Sequence, residues 1–154
     1  MKKFLGFLLF LSCFGMTFGQ TPTVTSEAIA VVDTFFEGFH KGDTTQMKSV
    51  MAETVVFQTA FTDATGTPKL NDGSAAQLLS AIANRPKEQV WEERLLGYEV
   101  QTDGNLAHVW TRYEFWLNGT FSYCGANAFT LVKMGSGWKI IHLIDSRRKA
   151  DCRP

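Results

Sequence analysis

Two glutamates and an arginine in the second half of the chain, Glu93, Glu114 and Arg112, are of the types that move protons. Two carboxylates facing each other in a dry site do not both ionise easily, so one keeps its proton as an acid beside a base. An arginine next to them would hold the ionised partner or orient a substrate anion. Such a set could activate water or shift a proton next to a carbonyl. The plainer alternative is that Arg112 merely neutralises the pair and the cluster is structural. Which of these holds depends on whether the backbone brings the three together.

After Pro86 the sequence turns to long β-runs, 90–101, 106–117, 120–133 and 138–145, separated by the turn signals TDGN, NG and MGSG. Turn positions set register, and register decides which side chains share a face. A two-residue turn at Asn118-Gly119 opposes Arg112 to Gly125 and Glu114 to Tyr123. A turn at Asp103-Gly104 opposes Glu93 to Glu114. One face then collects Trp91, Glu93, Trp110, Arg112, Glu114, Trp116, Tyr123, Asn127 and Phe129, with Gly97 and Gly125 leaving hollows between the rings. The other takes Tyr98, Val109, Thr111, Tyr113, Phe115, Cys124, Ala126, Ala128 and Thr130, and is flatter. Helices over the rough face would enclose a small-molecule pocket, and the flat face would suit a second subunit. In the opposite arrangement the helices cover the flat face and the rough one is a solvated surface with an Arg-Glu ladder.

The covering helices come from the first half. Ala28, Ile29, Val32, Phe35, Phe36 and Phe39 form one helical stripe over 26–42. Asp43 with Gln46 three residues later opens a short second helix whose Met47, Val50 and Met51 face inward. A strand over 54–61 and a loop, DATGTPKLNDG, follow. Ser74 caps a third helix to Asn84 that buries Ala75, Leu78, Leu79 and Ile82. The fold class is α+β, in the order α-α-β-α-β-β-β-β, without internal repeats or low-complexity tracts.

This pattern, with FFEGFHKGD near the start and AFTLVKMGSGWKIIHLIDSRR near the end, resembles the NTF2-like superfamily. That group includes nuclear transport factor 2, SnoaL-like polyketide cyclases, ketosteroid isomerases and limonene epoxide hydrolases. Within it, the chain is most similar to small exported bacterial proteins labelled putative lumazine-binding. The resemblance implies a cone, with three helices packed on a curved, mostly antiparallel sheet, a ligand in its concave face and a homodimer through its convex face. It implies that Arg112 and Glu114 match an inward arginine and carboxylate of the epoxide hydrolase type, and that Asp145 is a further pocket residue. The fold hosts enzymes and binding proteins alike, so both a binding domain and a SnoaL-like enzyme using Glu114, Arg112, Glu93 or Asp145 are expected readings.

The ends and the composition frame these readings. Residues 1–19 have Lys2 and Lys3, an apolar run and small residues up to Gly19, the layout of an export signal cleaved after Gly19. The alternatives are a retained anchor and a lipoprotein site at Cys13. Residues 20–25 read as a polar leader, 26–148 as the domain and 149–154 as a tail. Loss of the signal removes two lysines from a balanced set of 15 basic and 15 acidic residues, and such a charge attracts neither nucleic acid nor an anionic membrane. In an oxidising secreted or periplasmic setting, Cys124 and Cys152 are expected to form a disulfide, the alternative being a buried thiol and a loose tail. His40, His108 and His142 lack metal-ligand spacing, and neither a metal nor a cofactor is expected.

Overall fold

The computed structural model describes residues 23–152. The export signal, the alternative lipidation at Cys13 and residues 20–22 of the polar leader lie outside the described residues. The elements are α1 (Val24–Lys41), α2 (Thr44–Ser49), β1 (Met51–Thr62), β2 (Pro68–Ser74), α3 (Ala75–Ala83), β3 (Trp91–Leu95), β4 (Glu99–Asp103), β5 (Leu106–Leu117), β6 (Thr120–Met134) and β7 (Gly137–Arg148). The strands form one sheet in the order β2-β1-β7-β6-β5-β3, with β4 also on β5. All neighbours are antiparallel except β1 and β7. The helices pack on its concave side, as expected of an α+β cone.

Local chemistry sets the helix ends. Thr23 accepts a hydrogen bond from the Ser26 amide, so α1 starts inside the expected leader. Gly42, at φ 75°, closes it in the left-handed region that other residues avoid. Asp43 receives the amides of Thr45 and Gln46, and Ser74 and Gln77 form a reciprocal capping box for α3. Three expectations need correcting. Met51 opens β1 rather than closing α2. The stretch 68–74 is strand β2 and not loop; it is exposed along its whole length, so no alternation of apolar residues marks it. The run 90–101 is two strands, broken around Gly97 at φ 98°.

The break has a large effect on the faces. Gly104 and Asn105 form the turn between β4 and β5, and Val100 pairs with Val109. One residue is gained across the break, so Glu93 pairs with Phe115 and not with Glu114. Asn118 and Gly119, at φ 50° and 74°, make the expected tight turn. A bulge then follows: Trp116 pairs with Phe121 but Phe115 pairs with Tyr123, which leaves Ser122 as the extra residue. A second shift near Thr130 brings Asn127 opposite Asp145.

These irregularities turn β5 over relative to the expected register. Val109, Thr111, Tyr113 and Phe115 face the helices, together with Trp91, Glu93, Tyr123, Asn127 and Phe129. Trp110, Arg112, Glu114 and Trp116 lie on the convex side with Cys124, Ala126 and Ala128. The core is aromatic: Phe129 is wholly buried, its ring 6.0 Å from both Phe35 and Phe36 in edge-to-face contact. Cys124 and Cys152 are joined in a disulfide, Cα atoms 5.7 Å apart, tying the segment after β7 to the convex side of β6.

Gly125 is required by close approach. A Cβ there would sit 1.7 Å from the Ser146 carbonyl oxygen and 2.8 Å from the Tyr113 ring. Backbone cannot yield cheaply, so Gly125→Ala is expected to cost about 3 kcal/mol or more. Urea unfolding of the variant checks this, and a midpoint equal to the parent's would contradict the geometry.

Candidate functional site

Between α1, α3 and the concave face lies a cavity of about 500 Å³. Its walls are rings, Phe35, Phe36 and Phe39 from α1, Phe57 from β1, Trp91 from β3, Phe115 from β5 and Tyr123 from β6, with Leu78 of α3 at one side. The rings brace one another. Phe115 and Tyr123 stack at 4.7 Å, and Phe39 meets Trp91 at 6.2 Å and Phe115 at 6.5 Å. A volume of this size lined by apolar surface and a few convergent polar groups is the usual make-up of a small-molecule site.

The polar groups form two linked sets. In the first, Asn127 Nδ2 donates to Glu93 Oε1 at 2.7 Å. No protein donor reaches Oε2 among the described residues, and no buried polar side-chain atom there lacks a partner, so Oε2 opens on the cavity. Burial, with the negative charge of Asp145 adding to it, pushes the Glu93 carboxyl up to about 8, against the opposing pull of Asn127 and Arg147. At neutral pH Glu93 is therefore a carboxylic acid with a proton to donate. Its backbone is pinned as well: the Glu93 amide lies 3.0 Å from His40 Nε2, which ties β3 to the end of α1.

In the second set, Asp145 Oδ1 accepts the Thr59 hydroxyl at 2.5 Å and Oδ2 accepts the Tyr113 hydroxyl at 3.0 Å. Arg147 stands 3.3 Å from Oδ2 and lays its guanidinium over the Tyr123 ring at 4.6 Å. Burial first, then Asp145 and Glu93, hold the Tyr113 phenol well above its usual range, so it stays protonated and serves as a donor. Asn127 pairs with Asp145 across β6 and β7 and bonds Glu93, and so connects the sets. The arrangement places a neutral acid beside an ion-paired carboxylate in one apolar chamber.

The structure thus divides the expected site residues. Trp91, Glu93, Tyr123, Asn127 and Asp145 line the cavity, while Phe129 lies beneath its wall. Trp110, Arg112, Glu114 and Trp116 do not reach it. On the convex side, Trp116 Nε1 donates to Glu114 Oε2 at 3.0 Å, Arg94 sits 4.1 Å over the Trp116 ring, and Trp110 is 40% exposed. The opposed Glu93-Glu114 pair does not form, because they point to opposite faces. Thr59, Tyr113 and Arg147 belong to the site without having been expected there. Arg147 had a readable signal, standing two residues beyond Asp145 on an extended strand. Among the described residues, no cluster of three or more His, Cys, Asp or Glu could hold a metal.

Residues 23–143 match a family described as "Putative lumazine-binding". No curated protein sequence matches the chain. Solved structures do. An NTF2-like protein of unknown function from Shewanella baltica is 18% identical over 84% of this chain and 100% of its own, with a TM-score of 0.58. An NTF2-like protein from Cytophaga hutchinsonii is 8% identical over 82% of this chain and 100% of its own, with a TM-score of 0.67. A protein from Streptomyces avermitilis, described as a putative dehydratase of the NTF2-like family, is 13% identical over 80% and 95%, at 0.58. At these identities the likeness is one of fold.

Glu93 makes a pH signature. The folded chain keeps its proton up to about 8, whereas the unfolded chain releases it near 4.5. Its contribution to stability is therefore full below 4.5, declines as pH rises from 4.5 to 8, and is constant above. In Glu93→Gln, which keeps an oxygen for Asn127, that decline disappears. Urea midpoints of both proteins at about pH 5 and about pH 9 check it, and equal slopes would mean that the carboxyl is ionised in the folded chain.

Proposed function

This chain belongs to the family described as "Putative lumazine-binding", and from that premise we propose that it is an exported protein that binds a small, largely aromatic ligand in the cone. The observation that carries this reading is the chamber itself, walled by braced rings and offering the second carboxyl oxygen of Glu93, Oε2. A fold gains nothing in stability from an open volume this large, because its lining forgoes the contacts that packing would supply. A planar ring system fits between the phenylalanines and Trp91. The Glu93 proton and the Asn127 amide match a ring carbonyl or ring nitrogen, which a bicyclic heteroaromatic such as lumazine presents. Buried polar groups of this kind discriminate strongly, since a ligand without the matching atom leaves them unpaired.

A second reading, a SnoaL-like enzyme, has its own observation in its favour. Glu93 can give a proton while Asp145, oriented by Thr59, Tyr113 and Arg147, can receive one. Acid and base facing one largely apolar chamber, on β3 and β7, suit elimination or isomerisation next to a carbonyl. In this reading Glu93, Asp145 and Arg147 take the roles that the resemblance assigns to Glu114 and Arg112.

Export and pairing complete the proposal. The segment before Gln20 directs the chain to a secreted or periplasmic location, which the disulfide supports. A twin covers the convex face, where Ala128 lies low between Trp110 and Ile144, and Ala126 between Arg112 and Ser146. Its occupancy is tested by light scattering after gel filtration, with a dimer expected for the parent and a monomer for Ala128→Arg. A monomeric parent, or a mature N-terminus other than Gln20, removes that part of the reading.

Ligand binding is tested by thermal shift with lumazine and a panel of planar heteroaromatics. At about a hundredfold excess over its Kd, a chamber ligand is expected to raise the melting temperature by about 5–10 °C. Leu78→Trp fills the chamber and abolishes the rise, whereas Trp110→Ala and Arg112→Ala, on the convex side, bind as the parent does. If no compound stabilises the parent, or Leu78→Trp responds unchanged, the chamber is not the binding site.

A further inference from the structure

The concave face does not end at the chamber. A second, open hollow of about 650 Å³ continues over Thr59 and Phe61 of β1 toward the end of β7. Tyr123 and Arg147 border both spaces, so one ligand can occupy both. The character of the lining changes across that border. The chamber is walled mostly by rings and holds Glu93 neutral, whereas the hollow carries Arg147 and Lys149; Arg148 borders it too but pairs with Cys124, on the convex side.

Their charge is incompletely answered by the protein. Asp63 is the one carboxylate lining the hollow, and it is already engaged. It accepts the amides of Thr65 and Thr67 and the Thr65 hydroxyl, with Lys69 3.9 Å away. These hydrogen bonds, the Thr65 hydroxyl foremost, hold its carboxyl below the usual range, so it stays ionised and turned to its own loop. Arg147 gives one edge to Asp145 and its flat face to Tyr123. Arg148 donates only Nε, to the Asp151 carbonyl at 3.3 Å, and Lys149 makes no hydrogen bond or ion pair among the described residues.

We propose that this hollow is an anion subsite, so that the ligand is amphipathic: a ring system in the chamber and a carboxylate, sulfonate or phosphate against Arg147 and Lys149. The inference rests on the chamber reading above and adds the chemical class of the ligand. The carboxylate already in the chamber, Asp145, is answered by Arg147, whereas a further anion is matched just outside by the free edge of that planar guanidinium and an ammonium. Arg147 stands where ring and anion would join.

Two fluorescent probes separate the subsites, since anilinonaphthalene sulfonate and phenylnaphthylamine share a ring system and differ in the anionic group. The sulfonate is expected to bind about tenfold more tightly, and to lose that advantage between about 20 and 300 mM salt. In Lys149→Gln its affinity falls about threefold, while the neutral probe, seated in the chamber, binds as before, and Arg148→Gln, on the convex side, leaves both probes unchanged. Both side chains are exposed, and an unchanged circular dichroism melt establishes that each variant is folded. Equal affinities and equal salt responses for the two probes would overturn the anion subsite and leave the chamber reading standing. Binding of neither probe, or of both equally to Leu78→Trp, would remove both.

Discussion

The site depends on the insertion of Tyr113 into the gap left by Gly125. Tyr113 is 1% exposed, among the largest wholly enclosed side chains, and a buried phenol must find an acceptor. It finds two, Asp145 Oδ2 and the Ser146 carbonyl, on the strand beyond its neighbour. The ring spans β6 because Gly125 has nothing to oppose it there. Three adjacent strands are thereby keyed together at one depth, and Asp145 is aimed inward at the point where Thr59 and Arg147 meet it.

The chamber survives because its walls are braced from both sides. Edge-to-face contacts of the α1 phenylalanines with Phe129 and Phe115 fix the roof relative to the floor. The His40 contact with the Glu93 backbone holds the short edge strand β3 against the same helix. Collapse would have to break ring packing and that polar link together, so the space stays open. Desolvation of Glu93 is the energetic cost of this arrangement, and Asn127 offsets part of it.

Much of this was legible in the residues. The aromatic stripe of α1, the caps at Asp43 and Ser74, the Asn118-Gly119 turn and the α+β class all follow from local rules that act within a few positions. Trp91, Glu93, Tyr123 and Asn127 do line the inner face, although the register that groups them with Trp110, Arg112, Glu114 and Trp116 does not hold. The face of β5 was not legible, because the extra Ser122 and the break at Gly97 each shift the pairing by one residue, and a one-residue shift inverts every side chain beyond it. A bulge at a serine has little compositional signature. The alternation within β5 did hold a signal: Val109, Thr111, Tyr113 and Phe115 carry no formal charge, whereas Arg112 and Glu114 share the other side. Strand β2 was missed because pairing with β1, and not burial, makes it a strand.

The bridge between Cys124 and Cys152 spans 28 residues, and everything that β7 brings to the site lies within that span. Asp145 and Arg147 lie near the C-terminal end of β7, and strand ends ordinarily open and exchange their amide hydrogens first. The cross-link closes β6 and β7 into a hoop, so peeling of β7 from its neighbour must proceed against a covalent stop. The two site residues of β7 are thereby held by more than their ladder hydrogen bonds.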